Sequence, residues 1–230
     1  TANLFPVITS RRFANVYRLS LTLAEPVIPE LLQQALERVL PWFAALRVRL
    51  RRGVFWHYLE QNNQTPLVTE EDDYPCGYID PRQNHQFLFK VSYFNNRINL
   101  EIFHVLTDGT GGMQFLQAMC CQYLLLAHPG EFDETTRSRR WFAEHAADTE
   151  DSYVANYTPT RKANFREGRA YKITGERFTL DAMSTIHAHI ELEGLLALCK
   201  QKGVSVTQYL TACIGWAIYT QQLRSRPPRH

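Results

Sequence analysis

The hydrophobic positions of this chain first alternate and then change period. Along residues 15–23, NVYRLSLTL, Tyr17, Leu19, Leu21 and Leu23 fall on one face of a strand, because successive side chains of an extended chain point to opposite sides. Pro29 and Glu30 then open a helix in which Leu32, Ala35, Leu36, Val39 and Phe43 keep the spacing of an apolar stripe. In ALRVRL, Leu46, Val48 and Leu50 alternate with Arg47, Arg49 and Arg51, and beyond Gly53 the run VFWHYLE is the expected hairpin partner. Residues 62–85 are rich in Asn, Asp, Glu and Pro and predict a surface connection with a short strand at 66–69.

The segments QFLFKVSYF and RINLEIFHVL flank Asn95 and Asn96, a pair that tolerates the positive φ of a tight type I′ hairpin turn. MQFLQAMCCQYLLLA next places Leu116, Cys120, Tyr123, Leu124 and Ala127 at helical spacing and stops before Pro129 and Gly130. From 131 to 175 the pattern dissolves into a long crossing segment, mostly exposed with partial helix. It resumes with STIHAHIEL as a strand and LEGLLALCKQKG as a helix with Gly203 past its end. SVTQYLTACIGWAIYTQQL follows as a helix with Ser205 at its N-cap.

Composition narrows the classes. In 230 residues, 45% hydrophobic and 12% aromatic content suffices for one large core or two small ones. Twenty-five basic against twenty-three acidic residues leave a net charge of +2, no strong field for nucleic acid or an anionic membrane. Five cysteines form no CxxC pair and no His/Cys array with zinc spacing, so neither a disulfide framework nor a metal is expected. No apolar run approaches the roughly 20 residues of a membrane span, and no signal-peptide layout opens the chain, which fits a cytoplasmic protein. The chain opens at Thr1 without a methionine and stops at RSRPPRH just after a helical segment, which suggests a fragment.

The chemistry concentrates in residues 103–112, FHVLTDGTGG. Strand alternation puts Ile98, Leu100, Ile102 and His104 on one face, so the imidazole is expected to point with the apolar side chains, where a histidine is ordinarily a hydrogen-bonded core residue. Context favours function. Asp108 follows in a turn, and Gly109, Gly111 and Gly112 would let the backbone turn sharply and approach a ligand before a helix N-terminus. Histidine, with an unperturbed pKa of about 6.5, suits general base work near neutrality. The glycines lack the spacing of a phosphate loop, no Lys follows them, and His57, His85, His187 and His189 share no paired metal spacing. A third chemistry that could use this layout is acyl transfer by direct attack, which needs a base, an oxyanion donor and a water-poor channel but no serine nucleophile or metal.

The hexapeptide His104-Val105-Leu106-Thr107-Asp108-Gly109 matches HxxxDG and resembles the core motif of the CoA-dependent acyltransferases, which include chloramphenicol acetyltransferases, condensation domains and alcohol acetyltransferases. FPVITSRRFANVYRLSLTL, LLQQALERVLPWF, RVRLRRGVFWHYLE and HVLTDGTGGMQFL look, in this order, like the first half of a bacterial alcohol acetyltransferase. VSVTQYLTACIGWAI resembles the helix that opens the second half. The resemblance implies an α/β fold, an α+β two-layer sandwich with a mixed sheet covered by helices. It implies a motif-bearing lobe over 1–175 and the start of a second, truncated lobe over 176–230.

The resemblance also implies His104 as the general base and residues 107–112, with Thr107, Gly109, Thr110, Gly111 and Gly112, lining the substrate channel. Asp108 would support the loop by pairing with an arginine, with Arg18, Arg47 and Arg49 as candidates, or would cap the helix, or both. Acetyl-CoA would be the co-substrate with no bound cofactor, a small alcohol the acceptor, and the missing lobe or a second copy the partner. Many relatives carry a second histidine where this chain has Phe103, and the second lobe's DFGWG-type motif is absent. The alternatives are a non-catalytic module that binds acyl-CoA or a carrier protein, and condensation-type transfer to an amine or thiol. RVRLRR reads as a solvated face able to attract the phosphates of CoA, and Cys120 and Cys121 as core thiols.

Overall fold

A computed structural model of the 230-residue chain describes residues 9–10, 14–131, 170–176, 178, 184 and 186–223. The chain divides into two compact units, residues 1–158 and 159–230.

In the first unit the expected strands form with the expected faces. Strand β1 (Val16–Thr22), β5 (Phe89–Phe94) and β6 (Arg97–Phe103) join β4 (Val68–Glu70) in a sheet of order β1-β6-β5-β4. Only the β4–β5 pair is parallel, so the sheet is mixed. Register puts Tyr17 opposite Ile102, Leu19 opposite Leu100 and Leu21 opposite Ile98, while Phe89 and Val91 face Ile102 and Leu100 from the other side. Asn95 takes the positive φ, 55°, of the hairpin turn.

This apolar face is covered by helices α1 (Pro29–Val39) and α2 (Gly109–Ala127). Helix α1 starts on Pro29, whose missing N–H is no loss at a first helical position, and buries Leu32, Ala35, Leu36 and Val39. It runs on through 3₁₀ turns at Leu40–Trp42 and Ala44–Leu46. Phe43 and Phe89 both pack edge-on against Phe115 of α2 with ring centroids 5.0 and 5.5 Å apart. The Ile28 amide donates to the Tyr123 hydroxyl at 3.0 Å, joining the start of α1 to α2.

The other face of the sheet is polar yet largely buried. Arg18 pairs with Glu71 and Glu101, Arg97 with Glu71 at 2.6 Å, and Ser20 donates to Asn99 at 2.8 Å. The Cys76 amide closes over Glu101 at 2.6 Å. Burial alone would raise the Glu71 carboxyl, but the hydrogen bonds and charges of Arg18 and Arg97 outweigh it and hold it below the usual range. Single-face alternation predicted none of this, because β6 is buried from Ile98 to Phe103 on both sides.

Strands β2 (Val48–Arg52) and β3 (His57–Gln61) pair as a separate antiparallel hairpin. The partner strand starts at His57 rather than Val54, because residues 53–56 form the turn, closed by the Gly53 amide donating to the Trp56 carbonyl at 2.7 Å.

In the second unit, α3 (Leu192–Lys202) ends on Gly203 at φ 66°, and α4 (Val206–Ile218) begins on a capping box in which Ser205 and Gln208 exchange hydrogen bonds. A π-turn at Tyr219–Leu223 follows. The expected strand STIHAHIEL does not form: residues 186–191 are irregular and exposed. A strand exists only as part of a ladder, and among the described residues of this unit none pairs with it. Most of the crossing segment expected between 131 and 175 lies outside the described residues.

Candidate active site

The site is built where β6 stops. Phe103 is its last residue, and the Leu106 amide turns back to the Phe103 carbonyl at 3.0 Å, so His104 lies in a turn rather than in the ladder. This corrects the burial expected for it. Alternation ends with the strand, and His104 is exposed instead of sharing the burial of Ile98, Leu100 and Ile102. Its backbone is fixed by the His104 amide donating to the Asn15 carbonyl at 2.9 Å. Its ring lies 5.0 Å from the ring of Tyr17, tilted by 59°.

Tyr17 ties the turn together. Its hydroxyl donates to the Asp108 carbonyl at 2.6 Å and reaches the Thr107 carbonyl at 3.3 Å. Burial, and then the Asp108 charge, push its phenol up to about 12, so it stays a neutral donor. The Asp108 carbonyl also accepts the Gly112 amide at 3.0 Å, using both of its lone pairs. Tyr17 lies some ninety positions upstream, and the only sequence signal for it was its place on the strand face beside Leu19.

Asp108 caps α2: its carboxylate accepts the Gly111 amide at 3.0 Å. The arginine pairing does not form with the candidates named. Tyr17 faces the helix layer, so Arg18, the next residue, must face the other side, where Glu71 and Glu101 hold it. Arg49 pairs with Glu60 at 2.6 Å, and among the described residues no ion pair joins Arg47 to Asp108.

The glycines are not a loop before the helix; Gly109 is its first residue. Neither Gly111 nor Gly112 has a positive φ, and both are needed for space. A Cβ on Gly111 would overlap the Thr107 hydroxyl. One on Gly112 would lie 2.6 Å from the Tyr17 oxygen and 2.9 Å from Ile102 Cδ1, so this glycine lets α2 approach β1 and β6. Gly109 meets nothing within 4 Å. The structure thus brings His104, Thr107, Asp108, Gly109, Thr110, Gly111 and Gly112 into one turn and one helix end.

A cavity of about 220 Å³ lies in the same unit, lined by Val16, Leu50, His57, Tyr78, Leu88 and Phe103 among others. Two of its walls, Phe103 and Ala14, are the chain neighbours of His104 and of Asn15, whose carbonyl holds the His104 amide. No group of three or more His, Cys, Asp or Glu among the described residues could hold a metal ion, and none of the described helices is long and apolar enough to cross a membrane.

No family model and no curated protein matches the chain. Solved structures do. The starter condensation domain of rhizomide synthetase RzmA is 15% identical over 50% of this chain and 33% of that one, with a TM-score of 0.39. A mutant of that domain has been solved in complex with C8-CoA. SgcC5 from Streptomyces globisporus is 19% identical over 49% of this chain and 30% of its own, with a TM-score of 0.36. Polyketide synthase associated protein 5 from Mycobacterium tuberculosis is 13% identical over 67% and 40%, at 0.40. The solved structures that the chain resembles thus include condensation domains. The chain spans about a third of the length of these proteins.

Proposed function

We propose that this chain belongs to an acyltransferase that moves an acetyl or other acyl group from acyl-CoA to the hydroxyl of a small alcohol, with His104 as general base. The observation that carries the reading is that His104 is exposed in a turn locked by Asn15, Tyr17 and Asp108, at the mouth of a capped helix. A histidine satisfied within the core would be buried, so the exposure of His104 supports the catalytic reading over that of a core residue in a non-catalytic binding relative.

In the reaction the alcohol oxygen attacks the thioester carbonyl carbon while an imidazole nitrogen of His104 takes the hydroxyl proton. The carbonyl π electrons move to oxygen, then return as the carbon–sulfur bond breaks. The departing CoA thiolate receives the proton, and the ester leaves. The first amides of a helix have no partner within it, so those of Gly109 and Thr110 are the donors nearest in sequence for the oxyanion. Thr107, Gly111 and Gly112 set the shape of this end. Asp108 holds the helix start rather than touching substrate.

In this reading residues 1–175 form the lobe that carries the base and 176–230 open a second lobe, so the activity belongs to the whole protein. The test is CoA release from acetyl-CoA with a panel of alcohols, using the full reading frame and this chain side by side. Release by the longer protein alone supports both the enzyme and the second lobe. Silence from both, with acyl-CoA still bound, would replace the enzyme by a binding module.

A further inference from the structure

The net charge of +2 is spread unevenly. Residues 47–61, RVRLRRGVFWHYLEQ, hold four arginines against the single acid Glu60, a local excess of three positive charges (4 − 1 = 3). Arg49 and Arg51 share Glu60 at 2.6 and 2.9 Å, and Arg52 is exposed at the end of β2. Between the strands the tip is apolar. Val54, Phe55 and Trp56 are 80%, 90% and 62% exposed, and Tyr58 and Leu59 behind them are also exposed. The tip is not slack: the Gly53 amide closes the turn on Trp56, whose indole would meet any Cβ on Gly53 at 3.4 Å.

We propose that this hairpin tip inserts into an anionic lipid surface, with Phe55 and Trp56 at the acyl boundary and Arg51 and Arg52 among the headgroups. Shape argues for a soft medium. Three consecutive turn residues project as a narrow convex spike, whereas a stable protein interface needs about 800 Å² of complementary surface on each partner. Depth agrees as well. Arg52 lies opposite His57 and Arg51 opposite Tyr58, one and two residues behind Trp56, so at about 3.3 Å per residue they sit roughly 3–7 Å behind it, which overlaps the roughly 5–10 Å burial of interfacial anchors. Tryptophan favours the membrane–water interface, and the arginines act within a Debye length of about 10 Å, where the rest of the chain, with a net charge of −1 (2 − 3 = −1), does not cancel them. Insertion of one tip gives weak, reversible attachment rather than an anchor.

The test is sedimentation of the whole chain with vesicles of phosphatidylcholine alone and of phosphatidylcholine mixed with phosphatidylglycerol. The chain should pellet with the mixed vesicles only, and less as salt rises. Phe55→Ser with Trp56→Ser should weaken binding roughly tenfold or more, from the loss of two apolar anchors. Arg52→Glu should weaken it too. All three positions are exposed, so circular dichroism should show an unchanged fold. Absence of binding to the mixed vesicles would overturn the proposal, as would binding indifferent to the serine pair. Displacement by free CoA without dependence on Phe55 or Trp56 would assign the arginines to a soluble phosphate instead, and would equally refute it.

Discussion

Three glycines within four residues should respond differently to the same methyl group. On Gly109 an alanine meets open space and gains helix propensity, up to about 1 kcal/mol for a helix interior and less at a first turn. Gly112→Ala places a carbon 2.6 Å from the Tyr17 oxygen and 2.9 Å from Ile102 Cδ1. Ile102 is fully buried and cannot retreat, so α2 must lift from the sheet, an overpacking cost of about 1–3 kcal/mol that exceeds any propensity gain. Gly111→Ala is intermediate, since its clash is with the Thr107 hydroxyl alone and Thr107→Ala should relieve it. Urea denaturation of the three variants, with the Gly111→Ala/Thr107→Ala pair, reads the order directly: Gly109→Ala at or above the parent, then Gly111→Ala, then Gly112→Ala lowest. Equal stabilities, or a Gly112→Ala protein as stable as the parent, would refute the close approach of helix and sheet.

Two further predictions concern ionisable groups. Tyr17→Phe removes the hydroxyl that holds residues 107 and 108 and should cost about 0.5–1.5 kcal/mol near neutral pH. Because burial raises the folded phenol to about 12 against about 10 unfolded, the parent's advantage is complete below pH 10 and is lost as pH rises to about 12, so denaturation curves of the two proteins should converge over that window. Glu71 has the opposite sign: its lowered carboxyl contributes stability above its unfolded pKa of about 4.3, lost as pH falls below that. Glu71→Gln should therefore lower stability at neutral pH by roughly 1–3 kcal/mol and flatten the acid limb of a melting-temperature profile.

What could be read in the sequence was whatever depends on local periodicity and caps. The single apolar face of Tyr17, Leu19 and Leu21, the stripe of α1, the turn at Asn95 and the ends at Ser205 and Gly203 are all local patterns, and all formed. The motif's spacing likewise brought its residues to one helix end. What failed depended on where a pattern stops or on partners distant in sequence. The period of β6 carried one residue too far made His104 a buried residue, whereas a hydrogen bond from Leu106 to Phe103 ends the strand and leaves it exposed beside Tyr17. The second buried face of β6 rests on Arg18 and Glu71, which sequence spacing cannot pair with Glu101 and Asn99. The role of Gly112 depends on Tyr17, ninety-five positions earlier. Residues 186–191 alternate like a strand but have no described partner to complete one.

The central claim is that His104 takes the proton of the attacking hydroxyl. Its most direct test compares CoA release by the His104→Ala protein and its parent within the full reading frame, at saturating acetyl-CoA and alcohol, with melting temperatures measured alongside. Since His104 is exposed and its backbone bond to Asn15 survives the change, folding should be unaltered while the rate falls by roughly 10²- to 10⁴-fold. A variant that folds like the parent and retains its rate would contradict the account.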